Sequence, residues 1–163
     1  MDEMKLLDLL IQNPRNSVST IADILGESEE EVEKARKKLE EEKIICGYHT
    51  VVNWDKTNLN HVDAMIGVSA KPENQTGYDR IAEKIARFPE VSSIFLMSGN
   101  FEFIVNVNGR TMKEIAEFVG SKLAPIEGVT STTTMVTLKK YKVNGVNLDL
   151  KSSTEDDRLP VSA

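Results

Sequence analysis

VSSIFLMSGNFEFIVNV, residues 91–107, decides the fold. Two runs rich in β-branched and aromatic residues flank Gly99-Asn100, a pair suited to a tight turn between antiparallel strands. The stretch therefore predicts a strand at 91–98, a tight turn at Gly99-Asn100 and a strand at 101–107. Before it, YDRIAEKIARF (78–88) carries Tyr78, Ile81, Ala82, Ile85 and Phe88 on one side, the pattern of a helix, and Pro89 stops it. Before that helix, HVDAMIGVSAK (61–71) predicts another strand. After the hairpin, Thr111 caps a helix with Glu114 three residues on; Met112, Ile115, Ala116, Val119 and Leu123 are expected to line its buried face, and Pro125 and Gly128 to end it. VTSTTTMVTLKKYKV (129–143) predicts the last strand.

The order is β-α-β-β-α-β, which implies a ferredoxin-like sandwich with two helices on one face of a four-stranded antiparallel sheet. The other face is then bare and needs cover. Met65, Phe95, Met97, Phe103 and Val105 are expected there, and a second copy of the same sheet is the simplest cover. A homodimer through this domain follows, with a ring of dimers as its extension.

Residues 1–45 read as three short helices. Met4, Leu7, Leu10 and Ile11 recur at helical spacing, and Asn13-Pro14 ends that helix because a residue before proline is pushed out of the α region. Ser17 caps VSTIADIL, whose Val18, Ile21, Ala22 and Leu25 share a face, and Gly26 leaves it in the left-handed conformation. Ser28 and Glu31 form an S-x-x-E capping box for a third helix with Val32, Ala35 and Leu39 inward. A Gly-containing turn before the last of three short helices is a helix-turn-helix pattern. KIICGYHTVVN (43–53) then changes period, with Tyr48, Val51 and Val52 suited to extended structure, and Trp54 anchors the polar connector WDKTNLN. The fold class is α+β: a helix-turn-helix, winged-helix-like domain at 1–53, a connector at 54–60, a ferredoxin-like domain at 61–145 and a polar tail at 146–163, expected to be disordered unless Leu159 and Val161 dock.

Composition excludes several classes of function. No apolar run approaches the roughly 18 residues needed to span a bilayer, and the acidic, amphipathic start MDEMKLLDLL is neither a signal nor a transit peptide. One cysteine, Cys46, cannot form an internal disulfide, which fits a reducing cytosol; it is expected to pack at the strand between the domains. His49 and His61 have no ligand-spaced partners, so no metal or other cofactor is expected, and no phosphate-binding or nucleophile motif marks an enzyme. The formal net charge is −6, so nucleic acid cannot be held by the overall field and would need local clusters.

A helix-turn-helix, then GYHTVVN, then a β-α-β-β-α-β domain containing SGNFEFIV and ending in VTSTTTMVTLKKYK resembles the Lrp/AsnC family, the feast/famine regulators of bacteria and archaea. The resemblance covers about residues 2–145. It implies a dimer that assembles further, often to an octamer, binds double-stranded DNA through its N-terminal domain, and senses a small amino acid through its C-terminal, regulation-of-amino-acid-metabolism (RAM) domain. Carried over by position, the effector lies between dimers against Ser98, Gly99, Asn100, Phe101 and Glu102 and against Ser131, Thr132, Thr133 and Thr134. Gly99 would let backbone N–H groups approach a carboxylate, hydroxyls would add donors, and Glu102 would pair with an ammonium. Asn100 stands where an acidic residue is common in the family. The bland alternative is a hairpin without a ligand, since Gly-Asn is an ordinary turn pair and Thr an ordinary strand former.

The third helix raises the harder question. In helix-turn-helix readers the front of the second motif helix faces base edges and phosphates. Here that front carries Ser28, Glu29, Glu30 and Glu33, and Lys34, Arg36, Lys37 and Lys38 come later. Acids near a helix start and bases near its end are each favoured by about 0.3–1 kcal/mol, which explains the pattern without DNA. The DNA reading uses Glu as an acceptor for cytosine N4 and Arg15, Lys34, Lys37 and Lys38 as phosphate contacts. The DNA-contact candidates are therefore Arg15, Ser28, Glu29, Glu30, Glu33, Lys34, Lys37 and Lys38. Few phosphate contacts mean weak binding per domain, and linking several domains restores affinity without new contacts. Two functions follow: a cytoplasmic, oligomeric transcription regulator that reads DNA, or a metabolite-sensing assembly whose acidic helix-turn-helix binds protein.

Overall fold

The computed structural model describes residues 1–72 and 77–148. It divides into two compact units, Met1–Thr50 and the chain from Val51 onward. The expectations for the polar tail fall almost wholly on residues 149–163, outside the described residues.

The first unit is three helices: α1 (Glu3–Gln12), α2 (Val18–Leu25) and α3 (Glu29–Glu41). Each begins where a side chain satisfies free backbone N–H groups. Asp2 accepts from Met4 and Lys5, Ser17 accepts from Thr20, and Ser28 and Glu31 close a reciprocal capping box. Gly26 ends α2 at φ +69°, and Lys43, at φ 60°, turns the chain after α3. Leu6, Leu10, Ile21, Ala22, Val32 and Leu39 form the core. The inward face of α1 differs from the expected one: Met4 and Ile11 are exposed. Apolar residues fill most of MKLLDLLI, so period alone does not choose a face; α2 and α3 choose Leu6 and Leu10. The segment after α3 forms no strand among the described residues, and Cys46 is exposed, its thiol donating to the Lys43 carbonyl at 3.0 Å.

The second unit is mixed α/β. After a 3-10 turn (Trp54–Lys56) come β1 (Val62–Ala70), α4 (Asp79–Ala86), β2 (Val91–Leu96), β3 (Phe103–Gly109), α5 (Met112–Phe118) and β4 (Val129–Val136). The sheet order is β2-β3-β1-β4 and every neighbouring pair is antiparallel. Alternation puts Ala64, Ile66, Val68 and Ala70 of β1 and Phe103, Val105 and Val107 of β3 on one face. Ile81 and Ile85 of α4, Ile115 and Phe118 of α5, and Leu123 cover them. Tyr78 meets the Phe103 ring edge-on and Phe88 meets Phe118 likewise.

Four local expectations are corrected. Phe103 and Val105 belong to this core, because they pair across from Val68 and Ile66 and so share their face. The uncovered face does show Met65 and Phe95, with Ile104 and Met135 in place of the other two. The turn is not a two-residue one: β2 ends at Leu96, β3 starts at Phe103, and Met97 donates to the Glu102 carbonyl at 2.8 Å around the loop 98–101. In α5, Met112 and Ala116 face solvent, while the wider π turn at Val119–Leu123 rotates Leu123 onto the core. Finally, the β1–β4 ladder ends at Val136 opposite Ala64, with the Thr137 N–H still donating to the Asp63 carbonyl at 2.9 Å, and Lys142–Val143 pairs with Val146–Asn147 about Asn144-Gly145. Both turn residues have positive φ, 46° and 81°, the conformation a two-residue hairpin favours.

Ser28→Ala should cost about 1 kcal/mol in urea denaturation, the usual worth of a cap. Hydrogen bonds from Ser28 hold the Glu31 carboxyl below its ordinary value of 4.5. Its folded pKa being depressed, the box is fully present at neutral pH and is lost as pH falls from 4.5 through the lowered folded value. Acid titration followed by circular dichroism should therefore show a helical loss in the parent that Ser28→Ala lacks.

Candidate nucleic-acid interface and effector site

Val32 and Leu39 turn α3 inward, so its opposite side carries Glu30, Lys34, Lys37 and Glu41, flanked by Glu33. This exposed strip mixes both signs. Lys37 lies 3.8 Å from Glu41, one turn on. Lys38 donates to Glu3 of α1 at 2.8 Å, and that bond raises its pKa above the ordinary lysine value. The Ser28 hydroxyl is spent inside the capping box, at 2.8 Å from Glu31 Oε2. Glu29 sits exposed in the first turn, and Arg15 lies exposed in the turn between α1 and α2. Among the described residues Arg15 and Lys34 have no ion-pair partner. Of the predicted contacts, then, two cations are uncommitted and two are held by acids. The hold is weak: exposed pairs contribute about 0–1 kcal/mol, so a phosphate can displace Glu3 or Glu41. A groove of about 450 Å³ runs between the start of α1 and α3, with Glu3, Glu31, Lys34 and Lys38 in its walls. The pairing of Glu3 with Lys38 was not legible in the sequence, because the two stand 35 positions apart.

The effector candidates sit at one end of the sheet in the second unit. The structure brings some together and separates others. Ser98, Gly99 and Asn100 are exposed in the loop. Gly99 does not take a positive φ, and a Cβ there would meet nothing within 4 Å. Phe101 folds across the uncovered face onto Gly67 of β1, so closely that a Cβ at Gly67 would lie 2.6 Å from its ring. Gly67 pairs with Thr133, and Ser69 with Ser131, placing both β4 residues on the same face as Phe101. Thr132 and Thr134 pair with Val68 and Ile66 and therefore project to the helix side. Glu102 already has a partner: its Oε2 accepts the Ala70 N–H at 2.9 Å. Ala70 is 8% exposed, and an orphaned N–H there would cost about 1–3 kcal/mol. Gly67 and Ala70 went unseen in the sequence, where they read only as strand.

One polar cluster lies at the far end of β1. Trp54 stacks on His61 with ring centroids 4.4 Å apart, His61 Nε2 lies 3.0 Å from Asp63, and Asp63 also pairs with Lys140. The contacts are internal and hold the connector and the chain after β4 to the sheet. Among the described residues no group of three or more His, Cys, Asp or Glu side chains could hold a metal ion, and no helix is long and apolar enough to cross a membrane.

Comparison with known proteins bears on this arrangement. Residues 63–146 match the family model of the Lrp/AsnC ligand binding domain. The chain is 39% identical over 161 residues to the uncharacterized HTH-type transcriptional regulator YugG of Bacillus subtilis, covering 98% of this chain and 96% of that one. It is 32% identical to the HTH-type transcriptional regulator LrpA of Pyrococcus abyssi, over 84% of this chain and 94% of the relative. Among solved structures, E. coli AsnC aligns with TM-score 0.66 at 21% identity over 86% of this chain and 93% of that one. The regulator NMB0573 of Neisseria meningitidis, solved as a complex with L-Met, aligns with TM-score 0.67 at 24% identity over 86% and 90%. At those identities the structures speak to the fold alone, and the fold they share is the mixed α/β one with the antiparallel sheet. The family match over half the chain and the YugG match over nearly all of it carry the assignment: the chain belongs to the Lrp/AsnC family.

Proposed function

We propose that this protein is a cytoplasmic transcription regulator that binds double-stranded DNA as a homodimer and as a higher oligomer such as an octamer. In this reading residues 1–53 are the helix-turn-helix domain, 54–60 the connector, and 61–145 a ferredoxin-like domain for effector binding and assembly. The observation that carries it is the near full-length similarity to an HTH-type transcriptional regulator. Two features of the geometry support it. The α2–α3 pair is joined by a short turn at Gly26 with α3 presented on the surface. The sheet leaves Met65, Phe95 and Met135 between 39% and 52% exposed, an apolar surface that a second copy would cover.

The DNA contacts are Arg15 and Lys34 first, with Lys37 and Lys38 recruited when phosphate displaces their acids. Ser28, Glu29, Glu30 and Glu33 shape the front of the helix; the glutamates favour its start and accept from exposed base amino groups. A small amino acid or a related metabolite, bound between dimers, is the effector; the L-Met complex of the Neisseria regulator supports that ligand class. Its surroundings are Ser98, Gly99, Asn100, Phe101, Ser131 and Thr133, with Glu102, Thr132 and Thr134 behind them. A second reading is favoured by one specific observation, the pairing of Lys37 and Lys38 with acids: the helix-turn-helix binds an acid-tolerant protein partner and the module senses metabolites without touching DNA.

Electrophoretic shift against the gene's upstream region at about 50 mM salt separates the two, since only the first gives retardation. Arg15→Gln and Lys34→Gln should each flatten the salt dependence by about one unit of log K against log salt. Glu30→Gln should leave that slope unchanged. Replacing Met65 and Phe95 together by lysine should convert the assembly to monomers in analytical ultracentrifugation; an unaltered sedimentation profile would remove the sheet face as the interface. In thermal unfolding, an effector at 100 times its Kd adds about 2.7 kcal/mol, so a screen of the twenty amino acids should single out its ligand.

A further inference from the structure

Ala70 and Glu102 explain one another. The β1–β3 register advances in steps that pair Ile66 with Val105 and Val68 with Phe103, so the next ladder position would set Ala70 against Phe101. That position does not form. Phe101 leaves the strand to lay its ring on Gly67. The Lys71 N–H points the other way, to the Gly128 carbonyl at 2.8 Å, and the register against β4 shifts between Ser69 and Ala70. The Ala70 N–H thus lies part-buried on the side where β3 has ended, and the Glu102 carboxylate occupies the place of the missing carbonyl at 2.9 Å. The loop 98–101 is thereby pinned to β1 at two points, by an aromatic ring on a glycine and by a carboxylate on a backbone N–H.

From this we infer that Glu102 is a positioning residue and not the partner of a ligand's ammonium group. It acts through Ala70: it fixes the end of β3, which sets where Ser98, Gly99 and Asn100 stand and keeps Phe101 beside Thr133 on the uncovered face. Gly67 is the second half of the same device, since any side chain there would lift the ring. The part concerning the ligand rests on the effector reading above; the pinning does not.

A hydrogen-bond acceptor is required, not a charge. Gln keeps an acceptor oxygen at this reach, and Ala keeps none. The test is amide hydrogen exchange of the full-length protein by NMR, read at Ala70. Glu102→Ala should speed exchange at Ala70 by at least about tenfold and leave Ile66 unchanged, whereas Glu102→Gln should stay within about threefold of the parent. Gly67→Ala should also speed exchange at Ala70 by displacing Phe101. Equal exchange at Ala70 in the parent and in Glu102→Ala overturns the pinning. The ligand arm uses thermal shifts with each of the twenty L-amino acids. Glu102→Gln should keep whatever shift the parent shows. A variant that protects Ala70 yet loses that shift identifies Glu102 as the ammonium partner and overturns the inference. A parent that responds to none of the twenty removes the effector reading, while the exchange at Ala70 still decides the pinning.

Discussion

Strand β1 is hydrogen-bonded along both edges, to β3 and to β4, and its single register governs the second unit. Side chains alternate with a period of two, so a slip of one residue would expose Ile66 and Val68 and drive Met65 into the core. The slip is blocked from three directions. Ile66 and Val68 are fully buried under the helices. Gly67 has no room for a side chain beneath Phe101. The bulge between Ser69 and Ala70 fixes the alignment with β4. Once that register is set, the identity of the second face follows, and with it the surface on which a further copy can pack.

In the first unit, helix stability and the proposed binding of a polyanion pull in different directions. Glu29, Glu30 and Glu31 suit the positive end of the α3 dipole, and Lys38 suits the other end. The same order sets negative charge where a DNA reader approaches and places cations a turn or two later. Lys37 and Lys38 are then partly neutralised by Glu41 and Glu3. Each domain offers few counterion-releasing contacts, so affinity has to come from number. In the proposed reading the uncovered sheet face would supply that number by bringing copies together. Assembly through the second unit and weak grip by the first are in this sense complementary.

Strand and helix types were legible because the chain changes hydrophobic period cleanly, as YDRIAEKIARF gives way to VSSIFLMS. The capping box was legible because all its atoms come from four consecutive residues. The faces of α1 and α5 were not. In α1 leucines occupy more than one side, and in α5 a π turn changes the pitch after Phe118. The second hairpin was marked by Asn144-Gly145, yet the preceding run of Thr, Val and Lys masked the break at Val136. The effector candidates were carried over by position, which does not separate faces: Thr132 and Thr134 fall on the opposite face from Ser131 and Thr133.

The sequence by itself determined the order of elements, the caps, the family resemblance and the uneven charge of α3, because each depends on residues close along the chain. Tertiary structure alone decided which side of β3 faces the helices, that Lys38 belongs to Glu3, and that Glu102 serves the backbone of Ala70. Those outcomes join residues about 30 or more positions apart through register and burial. A strand's alternation states that two faces differ; only its neighbours' hydrogen bonds determine which of them meets water.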